Sequence, residues 1–291
     1  TLWACSREGV SILDLEDENA GFTHLEYLDE ERQEPLYASN DLACSGDGHI
    51  WIATQDRGIK HLNTRPSPFR YVSIRQEGQG TSFVDAIYTD DGRKFWLGLH
   101  PAGIAHWDRS SGSLQKNRQI DRMRGVDGRA FQAAMPSIVR RRNGEIWIAN
   151  RSFGVIILPP GEEARLARQE NSPFITDNYV NALHAAGDGR MWIGARGGVS
   201  LVEGDGRGRK VRMGNGPDDF SHCDVRGICE DSEGNVWIAT ENEGIIRVTP
   251  QGCGHYCPRE GNYPVYDATN CFEDSRKRLW AISNSGGLFL Y

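Results

Sequence analysis

Short apolar runs recur along this chain of 291 residues, separated by polar, glycine-rich breaks. One run returns seven times: an apolar residue, Trp, an apolar or small pair, then a Gly six or seven positions after the Trp. The copies centre on Trp3, Trp51, Trp96, Trp147, Trp192, Trp237 and Trp280, in steps of 48, 45, 51, 45, 45 and 43 residues. Only Trp107 stands outside the phrase. Ahead of most copies lies a turn signal: Asp47-Gly48, Asp91-Gly92, Asn143-Gly144, Asp188-Gly189 and Glu233-Gly234. Asn-Gly and Asp-Gly between apolar runs mark two-residue hairpins with positive φ at both central residues. Further apolar runs flank each Trp, such as Val180 to His184 before one copy and Val155 to Leu158 after another. Each repeat therefore predicts an antiparallel meander of about four strands.

The Trp strand itself does not alternate. Ile-Trp-Ile-Ala is apolar on both faces, which requires cover on both sides. A lone sheet cannot supply that cover, but sheets stacked face to face around an axis can. A repeat of this length in four-stranded units predicts an all-β, seven-bladed β-propeller. Helical periodicity is nearly absent; its best candidate is the short stretch from Gly161 to Gln169. The chain opens inside a Trp strand and closes just after another. The blades of Trp3 and Trp280 are therefore expected to be incomplete, with open edges prone to pair with another chain or a second copy. The repeat runs without a linker, so residues 1–291 are expected to form one domain, cut from a longer polypeptide.

The repeat resembles that of two-component-regulator propellers: Asp-x-x-Gly-x-[IVL]-Trp-[IL]-[GA]-Thr followed by a Gly-[IVL] strand. Asp231-Ser-Glu-Gly234-Asn-Val-Trp237-Ile-Ala-Thr240 through Gly244-Ile245 fits at almost every position. Other copies are looser: Ser6, Leu99, Asn150, Ala195 and Ser283 replace the Thr, and Arg276-Lys277 replaces the last Gly turn. The resemblance implies the periplasmic or other extracytoplasmic sensor portion of a membrane histidine kinase. In that family such propellers sit beside a second propeller and a β-sandwich and respond to glycan fragments. The expected function is thus ligand sensing in a two-component receptor, with an oligosaccharide as ligand and no catalysis in this domain. The alternative is a propeller lyase or glycosidase.

Composition narrows the partners. A net charge of −7 without a long basic run argues against nucleic acid. The densest basic cluster, Arg140-Arg141-Arg142, reads as a solvated turn flank. No apolar run approaches the ~20 residues that span a bilayer, and the missing initiator Met and signal peptide fit a mature or trimmed exported fragment. Seven Cys is an odd count. Cys5, Cys44, Cys223, Cys229 and Cys271 lie in or beside predicted strands and should act as small buried apolar residues. Cys253 and Cys257 lie in a polar Gly/Pro segment, either as a local disulfide or as free thiols. No metal or cofactor site is expected: His255 has no second ligand pair nearby.

No nucleophile elbow, zincin pair or Walker loop is present. Gly204 to Lys210 lacks the full phosphate motif and reads as a hairpin tip. Candidate chemistry therefore rests on the loops that meet where the first strands begin. Those entering the first strands offer Asn40, Asp41, Asp85, Asp177, Asn178, Tyr179, His222, Asp224, Tyr266 and Asp267. Those after the Trp strands offer Arg7, Gln55, Asp56, Arg57, His100, Arg151, Arg196, Glu241, Asn242 and Asn284. Planar amides, aromatic faces and Arg forks suit a sugar or a uronic acid. For the enzymatic alternative, His222 with Asp224 is the best base–acid pair.

Overall fold

The computed structural model describes residues 2–6, 9–17, 21–25, 39–45, 49–55, 58–63, 70–72, 83–101, 103–123, 133–213, 222–261, 263–264, 266–285 and 287–291. The fold is an all-β, seven-bladed β-propeller of antiparallel sheets, one sheet per Trp repeat. Contacts gather the chain into two compact units, Thr1–Met135 with three sheets and Pro136–Tyr291 with four. Five sheets have four strands. Those of Trp3 and Trp280 have three among the described residues, as the positions of their Trp strands led us to expect. The stretch from Gly161 to Gln169 forms no helix; it carries the outer strand Arg165–Ala167. A short helix falls instead at Arg118–Arg122, capped by Asn117, whose side chain accepts from the backbone N–H groups of Gln119 and Ile120. No helix among the described residues is long and apolar enough to cross a membrane.

Within each unit, successive sheets share their cores. The strands Ile146–Asn150, Met191–Ala195 and Val236–Thr240 are buried at every position, as their unbroken apolar pattern requires. Trp147 packs with Val180, Leu183 and Ile193 of the following sheet, and Trp192 packs with Val225, Ile228 and Ile238 of the one after that. The small residues after the Trp permit this approach: a Cβ at Gly194 would collide with Val225. Gly244, at φ 69°, closes its phrase so tightly that a Cβ would strike the carbonyl of Tyr256. Trp3 and Trp96 are only half-buried, whereas Trp107, outside the phrase, is buried against Trp51 and Phe95.

The turns differ from the primed hairpins read in the sequence. Positive φ falls on the Gly alone, and the Gly N–H bonds back to the residue three earlier: Gly144 to Arg141, Gly189 to Ala186, Gly234 to Asp231. This is the three-residue loop closed by a left-handed Gly, which needs no positive φ before it. In the last sheet Lys277 takes that position at φ 62°. The loop has a second use. Its first residue, six before the Trp, accepts the indole N–H: Asp231 from Trp237 at 2.7 Å and Asp274 from Trp280 at 2.8 Å. Burial opposes ionisation of Asp274, but the Trp280 indole and the Arg278 N–H groups hold its carboxyl down at about 2. In the fourth sheet Arg141 stands at that position, and Glu145 accepts from Trp147 at 3.0 Å. Arg141 is no solvated flank: it is buried and donates to the carbonyls of Gly189 and Glu203 in the next sheet.

None of the seven Cys is in a disulfide. Cys44 is exposed, contrary to its expected burial, while Cys223, Cys229 and Cys271 are buried and Cys5 is half-buried. Cys253 is exposed and Cys257 buried, without a disulfide between them.

Replacing Trp192 by Ala, which empties an almost fully buried site, should cost about 3–5 kcal/mol in urea unfolding. In the fifth sheet Ala186 occupies the acceptor position, and the Trp192 indole N–H lacks a hydrogen-bond partner among the described residues. Ala186→Asp should therefore stabilise the protein by about 0.5–1.5 kcal/mol, the worth of one satisfied buried donor. An unchanged or lowered urea midpoint would refute this role for the loop acid.

Candidate functional site

Four first strands begin with the same irregularity. Pairing with the Trp strand slips by one residue between Ser39 and Asp41, Val84 and Ala86, Val180 and Ala182, and Val225 and Gly227. The extra residues are Asn40, Asp85, Asn181 and Arg226, each eleven positions before its Trp. A bulge re-aims the side chain of the inserted residue. At Asn40 and Asn181 it is turned toward the following sheet. The Asn40 amide donates to the carbonyl of Val84 at 2.9 Å, and the Asn181 amide donates to that of Val225 at 2.8 Å. The Asp85 carboxylate accepts the N–H of Met135 at 3.3 Å. In every case the partner stands twelve positions before the next Trp.

In the second unit these bulges organise a polar cluster. Asn181 accepts from Arg151 Nε at 3.0 Å and donates to Asp224 at 3.2 Å. Asp224 also faces Arg226 Nη2 at 3.3 Å and Arg196 Nε at 3.8 Å. Arg226 Nε meets Glu241 at 2.8 Å. The guanidinium carbons of Arg196 and Arg151 lie 4.3 and 5.9 Å from the centre of the Tyr179 ring. Burial raises the Asp224 carboxyl above its usual range, against the lowering effect of the Arg226, Arg196 and Arg151 guanidiniums. The cluster thus places three guanidiniums, two carboxylates, an amide and a phenol on the fourth, fifth and sixth sheets, where their first strands begin. It contains five residues singled out in the sequence: Arg151, Tyr179, Arg196, Asp224 and Glu241. Asn181 and Arg226 were missed because they sit inside predicted strands. The polar residue recurring eleven before the Trp was the available signal.

The remaining candidates scatter. Asn178 is engaged by the Gln169 N–H and by Glu170, and Asp177 accepts the Tyr179 N–H. Asp267 holds the turn of Ser283, Asn284 and Ser285 by accepting their hydroxyl and N–H groups. Tyr266, Asn242 and His222 are exposed, and among the described residues no hydrogen bond joins His222 to Asp224. In the first unit Gln55 is exposed, His100 stacks on Phe83 at 6.1 Å, and Asp56, Arg57 and Arg7 lie outside the described residues. Asp41 accepts the N–H groups of Leu42 and Ile87 at 2.8 and 3.3 Å, linking its own sheet to the next. Burial pushes its carboxyl up to about 6, and burial together with Asp41 pushes the Cys5 thiol up to about 12.

A separate concavity of about 650 Å³ opens between the fourth and fifth sheets, lined by Arg141, Glu145, Trp147, Arg165, Phe174 and Asp205 among others. Its central carboxylate is already paired, Glu145 with Arg165 at 2.9 Å. Among the described residues no group of three or more His, Cys, Asp or Glu side chains could hold a metal ion.

The two component regulator propeller family matches residues 219–242, the repeat containing Asp224, Arg226 and Glu241. No curated protein matches the chain in sequence. The fold is similar to the extracellular domain of BT3049 from B. thetaiotaomicron, described as a hybrid two component system, with a TM-score of 0.80 and 19% identity. That likeness covers 99% of this chain and 38% of the other. PorZ, a surface component of the type-IX secretion system of Porphyromonas gingivalis, gives a TM-score of 0.72 at 14% identity, covering 100% of this chain and 43% of PorZ. A catalytically inactive virginiamycin B lyase from Staphylococcus aureus gives 0.63 at 14% identity, covering 87% and 84%. The chain thus spans about two fifths of the BT3049 and PorZ chains. At these identities the likenesses establish the fold.

The raised Asp41 predicts a specific pH dependence. Its native state favours the protonated carboxyl, so this contribution is complete below pH ~4 and is lost as pH rises through about 6. Asp41→Asn, which cannot ionise, should gain on the native protein by on the order of 2 kcal/mol between pH 4 and pH 7.5. Urea midpoints at the two pH values measure the difference; parallel shifts in both proteins would remove Asp41 from the explanation.

Proposed function

We propose that this propeller is the extracytoplasmic ligand-sensing part of a two-component signalling receptor and that its ligand is an oligosaccharide. The observation that carries the reading is the convergence of Arg151, Tyr179, Arg196, Asp224 and Glu241 from three consecutive sheets. Hydrogen-bonding side chains held rigid by one another, beside an aromatic ring, are what a polyhydroxylated ligand requires of a preformed site. The two component regulator propeller repeat at residues 219–242 and the likeness to the extracellular domain of BT3049 support the signalling assignment. In the parent chain an adjoining propeller or β-sandwich domain would be the structural partner. The sheets of Trp3 and Trp280 have three strands among the described residues, and an edge left there would offer a route to a homodimer.

The site is built to bind rather than to transform. Asp224, the acid that a His222-based mechanism would use, is instead tied to Asn181, Arg226 and Arg196 as an anchor for guanidiniums. Calorimetry on the intact extracytoplasmic region against a panel of plant and host oligosaccharides should find a binder, and reducing-end assays on the same panel should show no turnover. Turnover abolished by His222→Ala would replace the sensor by a lyase or glycosidase.

A further inference from the structure

Not all guanidiniums of the cluster are spent on the protein. Arg226 is paired twice, through Nε with Glu241 and through Nη2 with Asp224. Arg151 and Arg196 are each held by Nε alone, Arg151 by Asn181 and Arg196 by Asp224, and both lie over Tyr179. Among the described residues no hydrogen bond or ion pair engages their Nη groups. The stacking and the Nε contacts fix the two side chains, leaving the Nη1/Nη2 edge of each guanidinium as the free donor pair. That edge matches the two oxygens of a carboxylate or a sulfate. Charge points the same way. Once Arg226 is matched with Glu241, a single carboxylate, Asp224, remains against two guanidiniums. The side chain of Arg196 is 57% exposed and that of Asp224 only 15%, so the surplus positive charge faces solvent.

We propose that the Arg151–Tyr179–Arg196 stack is a subsite for the oxyanion of an acidic sugar, a uronate carboxylate or a sulfate ester. The inference rests on the sensor reading and narrows it to charged glycans. Discrimination against neutral sugars would fall on the two arginines. Because Arg196 is mostly exposed and Asp224 retains Arg226, replacing Arg196 leaves the packing of the sheets intact.

The test is titration calorimetry on the 291-residue chain at low ionic strength with four probes: trigalacturonate, its methyl ester, a sulfated chondroitin disaccharide and neutral cellotriose. The expected result is binding of trigalacturonate or of the sulfated disaccharide, whichever anion the sensor takes, at least about tenfold tighter than the neutral probes. Arg196→Gln and Arg151→Gln should each cut that affinity about tenfold or more, with Arg196→Lys falling between because it keeps the charge and loses the fork. Unchanged thermal unfolding of Arg196→Gln separates lost binding from lost fold. Equal affinity for the acid and its methyl ester, binding of cellotriose alone, or indifference to Arg196→Gln would overturn the anion subsite and leave the oligosaccharide sensor standing. Silence toward all four probes, followed by silence of the intact extracytoplasmic region toward charged and neutral glycans alike, would overturn both.

Discussion

A buried indole cannot leave its N–H unpaired without cost, and its ring must be covered on both faces. Both demands are met at Trp147, Trp237 and Trp280. The ring wedges against the first strand of the following sheet, which is why the residues after the Trp must be small enough for the strands to approach. The N–H reaches back to an acid in the preceding loop, so the loop must close in a particular way, with Gly or, once, Lys277 in the left-handed conformation. Arginines then lie over the rings of Trp147, Trp192, Trp237 and Trp280, within 5.2 to 5.8 Å, where the guanidinium favours the π-face. Strand length, loop type and sheet spacing all follow from the seat of one side chain.

This explains what could be read from the sequence. Seven Trp residues at near-constant steps announce seven sheets, one per repeat. The loop type was misread because Asn143-Gly144 and Asp188-Gly189 look identical in a two-residue and a three-residue hairpin. What separates the two is where the strands close the loop, Arg141 on Glu145 and Ala186 on Arg190, a pairing that dipeptide rules do not see. The stretch from Gly161 to Gln169, the best helix candidate, is instead shaped by the pairing of Arg165 to Ala167 with Val155 to Ile157. Burial of Arg141 was hidden for a similar reason: its partners are carbonyls about fifty and sixty residues away in sequence, and nothing local signals them.

The candidate site was legible only by position. Loops at the starts of first strands bring Tyr179, Arg196 and Asp224 together in the fourth to sixth sheets. The same logic applied to the first unit picks out Asn40 and Asp41, which are occupied in joining one sheet to the next, and Asp85, which holds the Met135 N–H. A polar residue at such a position can be a fastener or a ligand group, and composition does not distinguish them. Partners do: a side chain whose hydrogen bonds all end on backbone holds the fold, whereas one left with spare donors can serve a guest.

The position eleven residues before each Trp shows how such a fold can change its clientele. Asn40 and Asn181 use it to fasten one sheet to its neighbour, but Arg226, in the same place, turns away to carboxylates instead. The sixth sheet remains folded without that fastener, because the shared apolar core does not depend on it. Fastening at this place is therefore dispensable one repeat at a time. An array of near-identical units holds several such interchangeable positions, all aimed at one end of the sheets. Changes there can vary what the protein meets in its surroundings while the tryptophans go on preserving the architecture.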